Sequence, residues 1–204
     1  MCQLLETIKV KDNRLQNLDY HNFRVNYSRR ALFHARDKWD LSQLIAIPSL
    51  EPSTLYRCRF LYSIVIDHVE FLPYSPRLIQ KLYLVRADDL DYAFKYADRT
   101  MLEKLRNNIT QEANADILIV KDGFVTDTSF SNIAFFDGSA WVTSATPLLK
   151  GTKRAYYLQN GVIREESITA GDISKFKKAR LINAMLDLET GTDIDVENII
   201  RNYY

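Results

Sequence analysis

The chain has 204 residues, of which 47% are hydrophobic and 26% are charged, and this composition is that of a folded globular protein rather than a disordered one. The formal net charge of +1 argues against binding to nucleic acid or to an anionic membrane through a broad charged surface. No segment has the apolar core of a signal peptide or the length of a membrane span, and two cysteines do not form a disulfide framework, so we expect a cytoplasmic protein.

The first half of the chain contains strand and helix patterns without a single glycine, because all six glycines lie at or after Gly123. This distribution excludes a P-loop or a dinucleotide-binding glycine motif near the N-terminus. Residues 4–10 predict a strand, residues 19–39 a long helix, and the residues up to about 47 a second, short helix. Every second residue from 56 to 66 is apolar, which predicts a strand whose opposite face carries Arg57 and Arg59. A further strand is predicted over residues 79–87.

The second half begins with a predicted helix over residues 100–111, in which apolar residues recur at helical spacing. A meander of four strands follows within residues 116–144, with Asp-Gly turns at 122–123 and 137–138. A helix that ends at Asn160-Gly161, a strand and a short terminal helix are predicted to complete the chain. Because strands and helices are mixed without a regular βαβ repeat, we predict an α+β fold in two lobes, residues 1–90 and 91–204.

An unusually polar bend lies inside the predicted meander. Six of the seven residues from 126 to 132 have small polar side chains: Thr126, Asp127, Thr128, Ser129, Ser131 and Asn132. They are too many for a tight turn, and each needs a hydrogen-bond partner inside a sheet. We therefore expect a polar group to lie against this bend. Asp127 either caps the turn or, as a carboxylate kept ionised by its neighbours, faces a cation.

Other segments supply candidate functional residues, each of which also has a purely structural interpretation. Lys95, at the predicted junction of the lobes, is either a surface lysine or a desolvated amine that acts as a nucleophile. The helix that starts at Thr152 and Lys153 either is capped by Thr152 or binds an anion at its N-terminus. Arg57 and Arg59 either line a hydrated sheet face or clamp a carboxylate. The three histidines lack metal-ligand spacing, so we expect no metal.

Five segments, in this order along the chain, resemble the motifs of the class IV aminotransferases, the fold-type IV enzymes that use pyridoxal phosphate. HNFR (21–24) resembles the H-x-x-R helix of the family, and KYADR (95–99) resembles its lysine segment K-x-x-[ND]-R. VTDTSFSNIAFF (125–136) is similar to E-x-x-x-x-N-[IL], with an aspartate in place of the usual glutamate. TPLLKGTKR (146–154) resembles the phosphate loop, and LINAM (181–185) resembles the N-A segment of the aminodeoxychorismate lyases in the family. The resemblance covers nearly the whole chain.

The resemblance implies a role for each candidate residue. Lys95 would form the Schiff base with pyridoxal 5'-phosphate and then act as the general base, and Asp127 would keep the ring nitrogen protonated. Arg57 and Arg59 are our candidates for the substrate carboxylate. The phosphate would be held by the first helix and by the phosphate loop, with a second contact near LINAM. The implied cofactor-binding residues are Arg24, Lys95, Asp127, Asn132, Thr152, Lys153 and Asn183.

The resemblance also implies a homodimer with a D-amino-acid aminotransferase-like fold, in which a smaller N-terminal α/β lobe precedes a larger C-terminal lobe of mixed sheet. Three functions stay open for a small-molecule substrate. Of these, we place an amino-acid aminotransferase narrowly ahead of the other two. A 4-amino-4-deoxychorismate lyase, which releases pyruvate and 4-aminobenzoate, is favoured by LINAM and by the lysine segment. A cofactor-binding relative without turnover is suggested by Asp127 and by a short N-terminal segment.

Overall fold

The computed structural model describes residues 2–203, with side chains described up to Arg201. The described chain divides into two compact units. The smaller unit contains the residues before Arg77 together with Phe94–Asp98, and the larger unit contains Arg77–Ala93 and the residues from Arg99 onward. Residues 77–90, which the sequence places in the N-terminal lobe, belong to the larger unit here because their strand pairs within a sheet of that unit. Within the described chain no helix has the length and apolar character needed to cross a membrane.

The smaller unit contains one antiparallel sheet and two helices, α1 (Leu18–Phe33) and α2 (Leu41–Leu44). The sheet consists of β1 (Leu4–Lys11), β2 (Arg14–Leu15), β3 (Tyr56–Tyr62) and β4 (Ile66–Pro73). The strand order is β2-β1-β3-β4. Alternate residues of β1 and β3 pack with residues of the two helices to form the core of this unit: Leu4, Ile8, Val10, Val25, Leu41, Cys58, Phe60 and Tyr62.

Two elements of the smaller unit end earlier than the sequence predicts. The long helix ends at Phe33, because His34 adopts the left-handed backbone conformation with φ 55° and closes the helix. β3 ends at Tyr62, where a tight turn closed by the Ser63 N–H and the Val65 carbonyl reverses the chain into β4. The apolar alternation beyond Tyr62 therefore continues into an exposed hairpin tip, and Ile64 is 48% exposed.

The segment around Lys95 joins the free part of the β1 edge. Leu5 N–H donates to the Lys95 carbonyl, and Ala97 N–H donates to the Gln3 carbonyl, both at 2.9 Å. Between these two bonds the Tyr96 N–H donates to the Phe94 carbonyl at 2.9 Å, which is a three-residue turn centred on Lys95. The backbone of Lys95 is therefore held by β1 on a turn.

The larger unit contains two sheets and the helices α3 (Thr100–Ile109) and α4 (Thr152–Gln159). One sheet has the order β13-β5-β6-β7 and consists of β5 (Lys81–Arg86), β6 (Ala115–Lys121), β7 (Phe124–Thr128) and β13 (Ile199–Tyr203). The other has the order β10-β9-β8-β11-β12 and consists of β8 (Asn132–Phe136), β9 (Trp141–Ser144), β10 (Ile163–Glu166), β11 (Lys178–Ile182) and β12 (Ile194–Asp195). Apolar side chains from both sheets form its main core, which includes Leu82, Leu118, Val125, Ile133 and Phe135.

Two predictions for the larger unit are wrong. The four strands within residues 116–144 do not form one meander, because β6 and β7 belong to one sheet whereas β8 and β9 belong to the other. The polar bend is therefore the point where the chain passes from one sheet to the next. The predicted terminal helix is replaced by a short 3₁₀ helix (Val196–Asn198) and by β13, which pairs parallel to β5.

Candidate active site

The polar bend satisfies much of its own hydrogen bonding. The hydroxyl groups of Thr128 and Ser131 lie 2.8 Å apart, and the Ser131 N–H donates to Thr128 Oγ1 at 3.1 Å. The Thr126 hydroxyl donates to the Ile119 carbonyl on β6 at 2.9 Å. These three side chains therefore stabilise the path of the backbone between the two sheets.

A buried carboxylate on β6 holds the bend from the side, and the sequence analysis missed it. Asp116 Oδ2 accepts the Ser129 N–H at 3.2 Å, and the Arg99 guanidinium donates to the Ser129 carbonyl at 2.6 Å. Arg106 Nε lies 3.6 Å from Asp116 Oδ1, which is too long for a hydrogen bond, and burial raises the pKa of Asp116. The available signal was one acidic residue inside the otherwise apolar run of residues 115–120.

Asp127 and Asn132 form a buried pair at the base of the bend. Asn132 Nδ2 donates to Asp127 Oδ1 at 2.7 Å and to the Leu149 carbonyl at 2.9 Å. The Leu149 N–H donates to Asp127 Oδ2 at 2.9 Å. Because a carboxylate accepts about four hydrogen bonds, Asp127 keeps acceptor capacity for a further donor such as a ring N–H.

Gly151 permits the phosphate-loop segment to approach this pair. A Cβ atom at position 151 would lie 2.0 Å from Asn132 Oδ1, a distance that no side chain can occupy. α4 begins at the next residue, Thr152, which is buried, so the N–H groups at the start of the helix lie beside the Asp127–Asn132 pair. The structure thus brings together three of the predicted cofactor-binding residues, Asp127, Asn132 and Thr152.

The environment of Asp127 predicts a dependence of stability on pH. Burial raises the pKa of this carboxyl to about 6, although the Leu149 N–H and the Asn132 amide favour its ionised form. The folded protein therefore holds the proton more tightly than the unfolded chain, whose reference pKa is 3.8. It follows that the stability contributed by this group is full below about pH 4 and falls by on the order of 3 kcal/mol as the pH rises to about 6.

We expect Asp127→Asn to make the melting temperature of the cofactor-free protein less dependent on pH, because asparagine does not titrate. Calorimetry in steps between about pH 4 and pH 7 measures the slope in each protein. The comparison uses slopes and not absolute values, because the new amide also disturbs the bonds to Asn132 and Leu149. Equal slopes in the two proteins would refute the assignment of this titration to Asp127.

Lys153 and Asn183, both predicted to contact phosphate, have other partners in the structure. Lys153 Nζ lies 2.6 Å from Asp187 Oδ1 and about 5.5 Å from the centre of the Tyr156 ring. Asn183 Oδ1 accepts the N–H groups of Met185 and Leu186 at 2.8 and 3.0 Å, so it closes the turn after β11. Neither arrangement adds support to the predicted phosphate contacts, which stay predictions.

Arg154 is a buried cation of the phosphate loop to which the sequence analysis gave no role of its own. Its Nη2 donates to the Ser144 carbonyl at 2.7 Å and to Glu165 at 2.5 Å. Its Nε has no hydrogen-bond partner among the described residues. The positive charge is close enough to Asp127 to favour the ionised carboxylate, so α4 supplies both its N-terminus and a cation to this site.

In the smaller unit, a second buried cluster surrounds Arg24. Arg24 Nε and Nη2 donate to the two oxygens of Glu6 at 2.8 and 2.6 Å, and His21 Nδ1 lies 2.6 Å from Glu6 Oε2. Burial opposes the ionised form of Glu6, but Arg24 and His21 outweigh it and lower the pKa of Glu6 to about 2. Burial lowers the pKa of His21, and the charges of Arg24 and Lys95 act in the same direction. His21 is therefore a neutral imidazole whose Nδ1–H donates to Glu6.

The two arginines predicted to bind substrate lie on β3 on the sheet face opposite the core. Arg59 Nη1 donates to Glu70 on β4 at 2.5 Å. Arg57 packs with its guanidinium 5.9 Å from the centre of the Tyr74 ring, and its buried Nε has no hydrogen-bond partner within the described chain. Of the two, Arg57 therefore has more unused donor capacity.

Three comparisons place the chain among known proteins. The family described as amino-transferase class IV matches residues 59–189. A protein of Haemophilus influenzae (strain ATCC 51907 / DSM 11121 / KW20 / Rd), described as uncharacterized, is 35% identical over 188 residues, which are 91% of this chain and 98% of that protein. A solved structure from Haemophilus somnus 129PT, provisionally named a 4-amino-4-deoxychorismate lyase, is 31% identical with a TM-score of 0.81, and the match covers 91% of this chain and 97% of that one.

A solved structure from Mesorhizobium loti, provisionally named an amino-acid aminotransferase, is 20% identical with a TM-score of 0.78, and the match covers 96% of this chain and 98% of that one. At this identity the similarity shows the fold alone. The two solved structures confirm the predicted α+β fold of the fold-type IV enzymes. The family match confirms the predicted enzyme class. The protein therefore belongs to the class IV aminotransferase family, a family of pyridoxal-phosphate enzymes.

Proposed function

We propose that the protein binds pyridoxal 5'-phosphate and acts on amino-acid-type substrates, in the first place as an aminotransferase. The observation that carries this proposal is the buried Asp127–Asn132 pair beside the start of α4. A carboxylate with acceptor capacity suits a cationic pyridine ring, and a helix N-terminus suits a phosphate. Gly151 lets the start of this helix approach the pair closely. The residues present therefore fit the cofactor.

In this proposal Asp127 keeps the proton on the ring nitrogen. The bonds from Asn132 and Leu149 fix the orientation of the carboxylate. A protonated ring nitrogen beside the carboxylate would favour its ionised form. Arg24 and the N-terminal N–H groups of α4 bind the phosphate. When bound, pyridoxal phosphate supplies the electron sink that stabilises the electron pair left behind when the substrate loses its α-proton.

Lys95 has two roles in the proposal. Its amine would carry the covalent link to the cofactor until the amine of the substrate replaces it. The free amine of Lys95 would then move the α-proton of the substrate as a general base, which is the proton transfer of the first half of an amino exchange. Release of the keto acid by water ends that half, and a second keto acid is needed to take up the amino group. The turn centred on Lys95 and its bonds to β1 hold the backbone, so that the amine swings on its side chain alone.

Arg57 is the first candidate for the substrate carboxylate. Its Nε is buried without a hydrogen-bond partner among the described residues, and an arginine fork matches the geometry of a carboxylate. Arg59 is the second candidate, because its guanidinium already donates to Glu70.

A 4-amino-4-deoxychorismate lyase is the second candidate function. The Haemophilus somnus structure with that provisional name is similar to this chain over nearly the full length of both. The same residues would serve, since Lys95 again removes the α-proton and the two reactions differ in the bond that breaks next. An aminotransferase needs a keto acid to complete its cycle, whereas the lyase needs none.

The test begins with the visible absorption band of the purified protein after incubation with pyridoxal phosphate. We expect a visible band that borohydride removes. The reduced cofactor should then be covalently attached to the peptide that contains Lys95. Amino acids should then convert the bound cofactor to its amine form, and a keto acid should restore the band. Release of pyruvate and 4-aminobenzoate from aminodeoxychorismate without a keto acid would instead support the lyase. A band with neither reaction would leave a cofactor-binding protein without turnover.

The proposal includes a homodimer and a cytoplasmic location. The homodimer is supported by resemblance to the family and is tested by sedimentation of the protein with cofactor. The location is supported by the cysteines, because Cys2 and Cys58 are both free thiols within the described chain.

A further inference from the structure

Glu6 is an unexpected residue at its position in β1. Its neighbours on the core face of the strand, Leu4 and Ile8, are apolar, and all three side chains are fully buried. Burying a carboxylate costs several kcal/mol unless it is paired and hydrogen-bonded. Replacement of a buried ion pair by apolar side chains is often neutral or stabilising, so stability alone does not account for Glu6.

The hydrogen bonds of Glu6 show what the carboxylate does. Both of its oxygens accept from one edge of the Arg24 guanidinium, formed by Nε and Nη2, at 2.8 and 2.6 Å. His21, one helical turn before Arg24 on α1, donates to the same carboxylate. A two-point contact of this kind fixes both the position and the plane of the guanidinium.

We propose that Glu6 is a positioning residue, which fixes the position and plane of the Arg24 guanidinium for binding of the cofactor phosphate. His21 supports the arrangement as a neutral donor that anchors Glu6 without adding charge. The inference rests on the proposed function, because Arg24 binds phosphate only if the protein binds pyridoxal phosphate. Glu6 itself touches neither cofactor nor substrate.

The test compares the affinity for pyridoxal phosphate with the affinity for pyridoxal, which has the same ring without the phosphate. Glu6→Gln places an amide N–H against the Arg24 donors and so breaks the two-point contact. We expect the affinity for pyridoxal phosphate to fall by about tenfold or more, with the affinity for pyridoxal unchanged within about twofold. A general loss of structure would weaken both ligands together, so the ratio reports on the phosphate alone.

Two further variants complete the experiment. Glu6→Asp keeps the charge but shortens the side chain by one methylene, so it decides the question if Glu6→Gln does not fold. Asp37→Asn is the matched control, because it removes the carboxylate from Arg29, another buried arginine of α1, at 3.0 Å. We expect the control to leave the ratio of the two affinities at the wild-type value.

The outcomes separate this inference from the proposed function. A ratio that stays at the wild-type value in folded Glu6 variants would overturn the positioning role alone. A wild-type protein that does not bind pyridoxal phosphate would overturn the proposed function and this inference with it. A loss of phosphate selectivity in the Glu6 variants, with the control unchanged, is the expected result.

Discussion

Replacing Lys95 with alanine is expected to remove the visible cofactor band and to lower turnover by at least about 10²–10⁴-fold, the contribution of a general base. The physical reason is that no methyl group can form the covalent link or accept the α-proton. Turnover and absorption spectra of the two proteins, each incubated with excess pyridoxal phosphate, measure both effects. Pyridoxal phosphate should still bind to Lys95→Ala, because the residues that hold the ring and the phosphate are unchanged.

The control for this prediction is Lys104→Ala, since Lys104 is an exposed lysine on α3. It should retain both the band and the activity. A Lys95→Ala protein with a borohydride-sensitive band of wild-type intensity would show that another lysine carries the cofactor. The match of KYADR to the lysine segment of the family would then be misleading.

Gly151→Ala is expected to lower both the stability of the protein and its affinity for pyridoxal phosphate. The added Cβ would lie 2.0 Å from Asn132 Oδ1, so Asn132 must move and give up its bonds to Asp127 and Leu149. Forcing an additional carbon into a packed site costs typically 1–3 kcal/mol, and we expect a loss of stability of about this size. The affinity for pyridoxal phosphate should fall by at least about tenfold, because Asp127 loses the donor that orients it. Thermal unfolding and a spectroscopic titration measure the two effects.

Two comparisons make the Gly151 prediction specific. Gly171→Ala is the matched control, because the nearest atom to its added Cβ is Thr169 Oγ1 at 3.6 Å, an ordinary contact. It should leave both stability and affinity near wild type. In an Asn132→Ala background, Gly151→Ala should cost little more, because the clashing oxygen is gone. If Gly151→Ala were as damaging in that background as alone, the contact with Asn132 would not be its cause.

Local patterns in the sequence predicted most elements of the fold correctly. The alternation of apolar residues predicted β3 and helical spacing predicted α3, because each pattern reflects one buried face. β1 and α1 were predicted as well. The errors arose where the period alone is ambiguous. Apolar residues continue the alternation beyond Tyr62 into a hairpin tip, and the strands on either side of the polar bend belong to different sheets. A period of two identifies a strand but not its neighbour in a sheet.

The sequence by itself determined the family, because five short motifs occur in the family's order and spacing. It also identified Lys95, Asp127 and Asn132 as candidates. Only the tertiary structure decided which partner each polar side chain has. It placed Asn132 on Asp127 and against Gly151, and it paired Lys153 with Asp187.

The same distinction applies to the residues that the sequence analysis missed. Glu6 and Asp116 are single acidic residues in apolar strands, and nothing near them in the sequence indicates what they bind. Glu6 pairs with Arg24, 18 positions away, and Asp116 accepts the Ser129 N–H, 13 positions away. A buried charge is tolerated only where the fold brings donors to it. The identity of those donors is therefore a property of the long-range contacts and not of the local sequence.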